Sequence, residues 1–357
     1  MIIFRVDANE TIATGHLVRC ISIAVELIKR GEPCLFLLAE EKETARLEEK
    51  HIPYHILHTD WKHMESDYPV LFPILEKEKP DWVIVDSYQA DREYLAALNA
   101  KAPVLYIDDM ALETYPVSAV LHYIYWDDDH SYSNRYQTTP TKLLAGMKYA
   151  PLREEFQQSS LNQKRNKSIL ITTGGTDPFH ITGDVLRLCL GDNNALSTSA
   201  DNVTNLFAEY QFEIIVGSMN QDEEALKKLA EIYPQVHLHK NISNISDYMR
   251  SCEIAISAGG TTLLELCSCS IPTICFSFAD NQIDFTKQMG LRHIMYYAGD
   301  ARYQNVTETI LKHLMAFAKD HTLRKEYALR MNQLVDGQGV KRIADFLSTN
   351  LHHCTPF

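Results

Sequence analysis

The chain has 357 residues, 45% of them hydrophobic and 23% charged, with a formal net charge of −13. The composition is that of a globular protein, the length suits two domains, and the negative balance excludes bulk binding to nucleic acid or anionic membranes. No apolar run approaches the roughly 18 residues that a membrane helix needs, and the chain opens on a strand rather than a signal peptide, so a cytoplasmic protein is expected.

In chain order, residues 2–6 form an apolar strand that enters a polar stretch and then a helix from about His16. Leu17, Cys20, Ile21, Ala24, Val25 and Ile28 recur about once per turn and make one buried face, with Gly31 as the stop. The first loop of an α/β sheet sits at the carboxyl edge of the strands, where such folds bind ligands. His16 is therefore placed at a helix N-terminus facing a cleft, a position that disfavours positive charge and leaves an imidazole able to accept a proton. From this stretch alone, a helix-capping histidine and a catalytic base are equal readings.

Strands follow at 34–39, 54–57, 81–86, 103–107 and 119–122, between helices at 41–50, 64–79 and 91–99. Several strands end in acids, Asp7, Asp86, Asp108 and Asp109, and helix capping accounts for most of these. Residues 126–140 lack any period and read as a loop, and 143–167 read as the crossing between domains. A second alternation has strands at 168–172, 212–216, 236–239, 253–257 and 272–276, with a polar surface excursion at 191–208. The chain from about 302 is helical. This gives one domain over 1–150, a second over 168–335 and a C-terminal helix over 336–357. The eight cysteines, most of them inside these elements, read as reduced thiols; Cys267-Ser-Cys269 lacks a second ligand pair, so no zinc site is expected.

Two glycine pairs follow strands and precede helices: Gly174-Gly175, before Thr176, and Gly259-Gly260, before Thr261-Thr262. Glycine lets the backbone approach a ligand, and the next helix offers free N–H groups to a phosphate. Neither loop matches a P-loop or a dinucleotide fingerprint. Glu265 either closes a capping box with Thr262 or accepts from ribose hydroxyls. Two such domains imply a nucleotide diphosphate-sugar held in the cleft between them, with its sugar toward His16.

The segments Arg5-Val-Asp-Ala-Asn9, Thr14-Gly-His-Leu-Val-Arg-Cys20, Tyr106-Ile-Asp-Asp109, 148–156, Gly174-Gly-Thr-Asp-Pro178, 257–265 and Ala279-Asp-Asn-Gln282 occur together and in order. In these the chain resembles the UDP-2,4-diacetamido-2,4,6-trideoxy-β-L-altropyranose hydrolases of pseudaminic acid biosynthesis and the related spore-coat polysaccharide proteins. The resemblance implies a GT-B fold, α/β, with two Rossmann-like domains, parallel sheets and an interdomain cleft. It implies His16 as the base, Gly259, Gly260, Thr261 and Thr262 near the diphosphate, Glu265 near the ribose, and Asn281 and Gln282 near sugar or phosphates. It also places Asp7, Gly15, Arg19, Gly174, Gly175 and Thr176 among the substrate-binding residues. The implied reaction needs no metal or cofactor. His16 activates water, the water attacks the anomeric carbon with inversion, and UDP leaves. A diphosphate is already a good leaving group, so one base suffices without the second carboxyl of a glycosidase. The expected partner is the small-molecule substrate, with no nucleic acid and no membrane, in a monomer or weak homodimer. Three features depart from the family pattern: Ala13 before Thr14-Gly15-His16, the segment 121–126, and the excursion 191–208. A GT-B glycosyltransferase using a UDP-sugar donor is the alternative, and a sugar-nucleotide binding protein without catalysis is a third reading.

Overall fold

The computed structural model describes residues 1–9, 14–126, 128, 130–158, 161, 163–191 and 200–349. The chain packs into two compact units: Met1–Gln157 with Gly337–Phe357, and Gln158–Asp336.

The first unit runs β1 (Ile2–Val6), α1 (Gly15–Lys29), β2 (Cys34–Leu38), α2 (Ala45–Glu49), β3 (Tyr54–Ile56), α3 (Tyr68–Glu78), β4 (Trp82–Asp86), α4 (Arg92–Asn99), β5 (Val104–Ile107), β6 (Ala119–His122), α5 (Ser131–Tyr136) and β7 (Lys142–Ala145). Among the described residues its seven strands form one parallel sheet in the order β3-β2-β1-β4-β5-β6-β7. Every residue of β1 and β4 is buried, as expected of central strands covered on both faces. Ile3, Val83, Val104 and Val120 face one side and pack with Leu71, Leu75, Leu95 and Leu98 of α3 and α4. Phe4 stacks on Phe36 from β2, ring centroids 4.6 Å apart. The apolar stripe of α1 is buried at Leu17, Cys20, Ile21, Ala24 and Leu27.

The second unit runs β8 (Asn166–Thr172), α6 (Ile181–Leu190), α7 (Ala200–Phe207), β9 (Gln211–Ile215), α8 (Glu223–Ile232), β10 (Val236–His239), α9 (Ile245–Ser251), β11 (Cys252–Ala258), α10 (Thr262–Ser268), β12 (Thr273–Ser277), α11 (Asp280–Leu291), β13 (Tyr296–Asp300), α12 (Val306–Lys319) and α13 (His321–Leu334). Its described strands form a parallel sheet ordered β10-β9-β8-β11-β12-β13. Arg165, just before β8, ties the amino edge of this sheet together. Its Nη1 donates to the carbonyls of Met249, Arg250 and Cys252, and its Nη2 to those of Cys269 and Ser270, at 2.5–3.1 Å.

The last helix, α14 (Gly339–Thr349), returns to the first unit and packs on α1, with Arg30 Nη1 2.6 Å from Asp345 Oδ1. Four elements were not anticipated. Helix α5 lies in the stretch read as a loop, β7 in the stretch read as a crossing, α7 in the polar excursion, and β13 ahead of the helical tail. Residues 10–13, which include Ala13, and 192–199 of the excursion lie outside the described residues. No helix among the described residues is long and apolar enough to cross a membrane.

Candidate active site

In the first unit the strand order reverses between β1 and β4, and in the second between β8 and β11. Ligands of open parallel sheets gather at the carboxyl ends of strands flanking such a reversal. The loop after β1 leads to His16, and β4 ends in Asp86. The loops after β8 and β11 are the two glycine pairs.

His16 is the second residue of α1 and is buried. Its Nδ1 lies 2.5 Å from Asp86 Oδ1. The Asp86 side chain is 0% exposed. Burial by itself would raise its pKa, but the charge and hydrogen bonds of Arg19, followed by the bond from His16, outweigh burial. They hold the carboxyl well below the usual carboxylate range. An ionised carboxylate only accepts, so His16 Nδ1 carries the proton and Nε2 presents a lone pair. Arg19 Nη2 also approaches Nδ1, at 3.1 Å, but two donors face each other there and that contact is not a hydrogen bond.

Arg19 sits one turn after His16 and fixes the surroundings. Its Nε and Nη2 donate to Asp86 at 2.6 and 2.5 Å. Its Nη1 and Nη2 donate to Asp109 at 3.0 and 2.8 Å, and Nη1 also to Tyr123 Oη at 2.7 Å. Burial pushes the Tyr123 hydroxyl up to about 12, against the charge of Arg19. Cys20 adds a weak Sγ contact to Asp86 at 3.4 Å, and burial pushes its thiol well up. The exposed Tyr88 meets the His16 ring edge-on, centroids 4.5 Å apart.

Asp7 stands apart from this group. Its Oδ2 accepts from Arg5 Nη1 and its Oδ1 from the Ala39 backbone, so its carboxylate braces β1 and β2. Asp67 holds the other side of the fully buried Arg5 at 2.6 Å. Asp108 accepts from the Met110 and Ala111 backbones in a turn that leads to β6 and not to a helix, so it does not cap as expected; Asp91 does cap α4, through the Tyr94 backbone. Asp86 does not cap: it is the partner of His16 and, with Asp109 and Tyr123, was not among the site residues expected from sequence. The signal for Asp86 was an acid ending an apolar strand, but only the sheet order shows that this strand borders β1.

In the second unit, Gly174-Gly175 packs on the loop after β9. A Cβ on Gly217 would overlap the Gly174 carbonyl oxygen, and Met219 donates its N–H to Gly175 O at 2.9 Å. Thr176 follows at partial exposure, and Asp177 caps α6 through the Ile181 and Thr182 backbones. Gly259 is required by close approach: a Cβ there would lie 2.7 Å from Thr286 Cγ2 and 2.8 Å from Gln282 Cβ. Gln282 is therefore a neighbour of the second glycine loop, and its Oε1 accepts from the Phe278 backbone at 2.9 Å. Gly260, Thr261 and Thr262 lead into α10, Glu265 lies on its first turn half-buried, and Asn281 is exposed at the start of α11.

The family model described as "Glycosyltransferase family 28 C-terminal domain" matches residues 168–333, within the second unit. The spore coat polysaccharide biosynthesis protein SpsG of Bacillus subtilis is 23% identical over 340 residues, covering 93% of each chain. An uncharacterized protein of Methanocaldococcus jannaschii is 23% identical over 290 residues, 75% of this chain, which spans about half (54%) of that protein. Among solved structures, MurG of Acinetobacter baumannii matches with a TM-score of 0.64 at 15% identity, over 98% of this chain and 99% of that one. The chain has the GT-B fold. The GT-B description accounts for the pair of parallel sheets and for the reversal points on which His16 and the glycine loops stand.

Proposed function

We propose that this GT-B protein is a nucleotide-sugar enzyme of polysaccharide biosynthesis, in which His16 activates a hydroxyl nucleophile for attack on the anomeric carbon of a UDP-sugar. The observation that carries the reading is the Nδ1–Asp86 hydrogen bond, which fixes the tautomer and leaves Nε2 as the acceptor. The nucleophile's proton passes to Nε2 as its oxygen bonds to C1. The C1–O bond to the diphosphate breaks with inversion, and its electron pair leaves on UDP. Asp86 offsets the charge of the imidazolium so formed. The glycine loops of the second unit, with Thr261 and Thr262, take the diphosphate, and Glu265 the ribose.

Two nucleophiles fit this step. Water makes a hydrolase, the reading implied by the resemblance to the pseudaminic acid enzymes. A sugar hydroxyl makes a glycosyltransferase, and the family 28 match together with the GT-B fold favours this second reading over the first. One experiment separates them. Purified protein is incubated with UDP-N-acetylglucosamine and UDP-diacetamido-trideoxy sugars, with and without saccharide acceptors, and products are followed by NMR. Free sugar of inverted configuration without acceptor supports the hydrolase. UDP release that requires an acceptor supports the transferase. No UDP release from any donor under either condition overturns the common proposal.

A further inference from the structure

His16 is faced by Asp86 from β4, which also takes a weak contact from Cys20, by Arg19 from its own helix, and by Tyr88 from the loop after β4. Behind Arg19 stand Asp109, after β5, and Tyr123, after β6. One guanidinium thus lies between two carboxylates, and the cluster keeps one negative charge in excess beside the imidazole. Asp86 is in direct contact with His16. Asp109 is not: Arg19 Nη2 bridges them, 2.8 Å from Asp109 Oδ2 and 3.1 Å from His16 Nδ1. The second carboxylate is therefore no more than about 6 Å from the ring, in a region where Arg19 is only 11% exposed and screening by water is weak.

We propose that Asp109 is a positioning residue that acts on His16 through Arg19: by neutralising the guanidinium, it leaves the whole charge of Asp86 available to the imidazolium. Without Asp109, Arg19 and Asp86 cancel, and the proton taken from the nucleophile is held less tightly. Geometry adds to charge. The two Asp109 bonds and the Tyr123 bond hold the guanidinium plane so that Nε and Nη2 both meet Asp86, which leaves Oδ1 turned to His16. The inference rests on His16 being the base, as proposed above.

The test compares Asp109→Asn with Tyr123→Phe. Asparagine keeps the size and one acceptor for Arg19 but removes the charge. Phenylalanine removes a contact to the same guanidinium and leaves the charge. The imidazole of His16 is titrated by NMR in each protein, a readout that needs no substrate. The pH–rate profile of UDP release is then measured where wild type is active. The expected result is a His16 titration midpoint lower in Asp109→Asn by about half to one pH unit, with the rising limb of the rate profile displaced equally and the plateau rate down about 3- to 10-fold. Tyr123→Phe should lower the rate without moving either midpoint. Unmoved midpoints in Asp109→Asn, or equal displacement in both variants, overturn the inference. A wild type that releases no UDP while the NMR midpoints separate as expected overturns the proposed function and leaves the coupling of Asp109 to His16 standing.

Discussion

Replacing Asp86 with asparagine removes one charge and almost no volume from the centre of the site. Oδ1 meets both His16 Nδ1 and Arg19 Nη2 at 2.5 Å, and Oδ2 meets Arg19 Nε at 2.6 Å. Whichever way the new amide is turned, its NH2 faces a donor of Arg19. If the NH2 replaces Oδ1 it also faces His16, whose proton must then move to Nε2, the atom proposed as the base. Removing one partner of a buried ion pair costs about 3–5 kcal/mol. Asp109 still pairs with Arg19, so the low end of that range is expected. Turnover should fall further than stability suggests, by about 10³- to 10⁴-fold, the size of effect seen when the carboxylate orienting a catalytic histidine is neutralised. The pH dependence has a defined sign. Asp86 is held below the usual carboxylate range in the folded chain, so its contribution is complete above about pH 4 and is lost as the pH falls through the depressed value. Wild type should therefore lose stability more steeply below about pH 4 than Asp86→Asn. The assay is UDP release at saturating donor, alongside urea unfolding at several pH values. A folded Asp86→Asn protein whose rate stays within about tenfold of wild type would show that Asp86 does not orient a catalytic His16.

Arg19→Gln leaves the two carboxylates of Asp86 and Asp109 without their shared cation, and should cost the first unit about 3 kcal/mol or more by urea unfolding. Gly259→Ala forces a methyl against Thr286 and Gln282, and should destabilise the second unit by about 1–3 kcal/mol while weakening UDP binding measured by calorimetry. Arg165→Ala leaves five carbonyls without their charged donor, and a loss of about 3 kcal/mol or more is expected by denaturation, with His16-dependent chemistry unaffected at temperatures where the protein stays folded.

Much of the fold was legible because it rests on short-range pattern. The apolar runs 2–6 and 81–86 and the helix after Gly15 appear where expected, but of the stripe read from Leu17 to Ile28 the far end differs: Leu27 is buried, Val25 is half-buried and Ile28 is exposed. The missed elements lack such a pattern. Strand β7 is an edge strand with Lys142 exposed, and α5 is Ser-Tyr-Ser-Asn-Arg-Tyr, polar except for the two tyrosines it buries. Strand β13 contains Gly299 at φ +118° and is half-buried, a poor match to an apolar run. The site was legible in part for the same reason. His16 is conspicuous next to Gly15 at a helix start. Its partner Asp86 is 70 residues away, and only the β1–β4 neighbourhood brings them together. Arg19 was noticed as a site residue, but the direction of its fork is set by acids 67 and 90 residues on, so its engagement with Asp86 and Asp109 rather than an open donor set could not be read locally. Asp7 shows the converse: an acid at the end of the first strand looks available for a ligand until Arg5, buried beside it, is seen to need it.

The most direct measurement is the turnover of His16→Ala with the UDP-sugar that wild type uses, made beside its UDP affinity. The expected rate is down by about 10²- to 10⁴-fold with UDP binding unchanged, because the proposed base is lost and the proposed diphosphate site is not. Turnover at the wild-type rate would contradict the proposed role of His16.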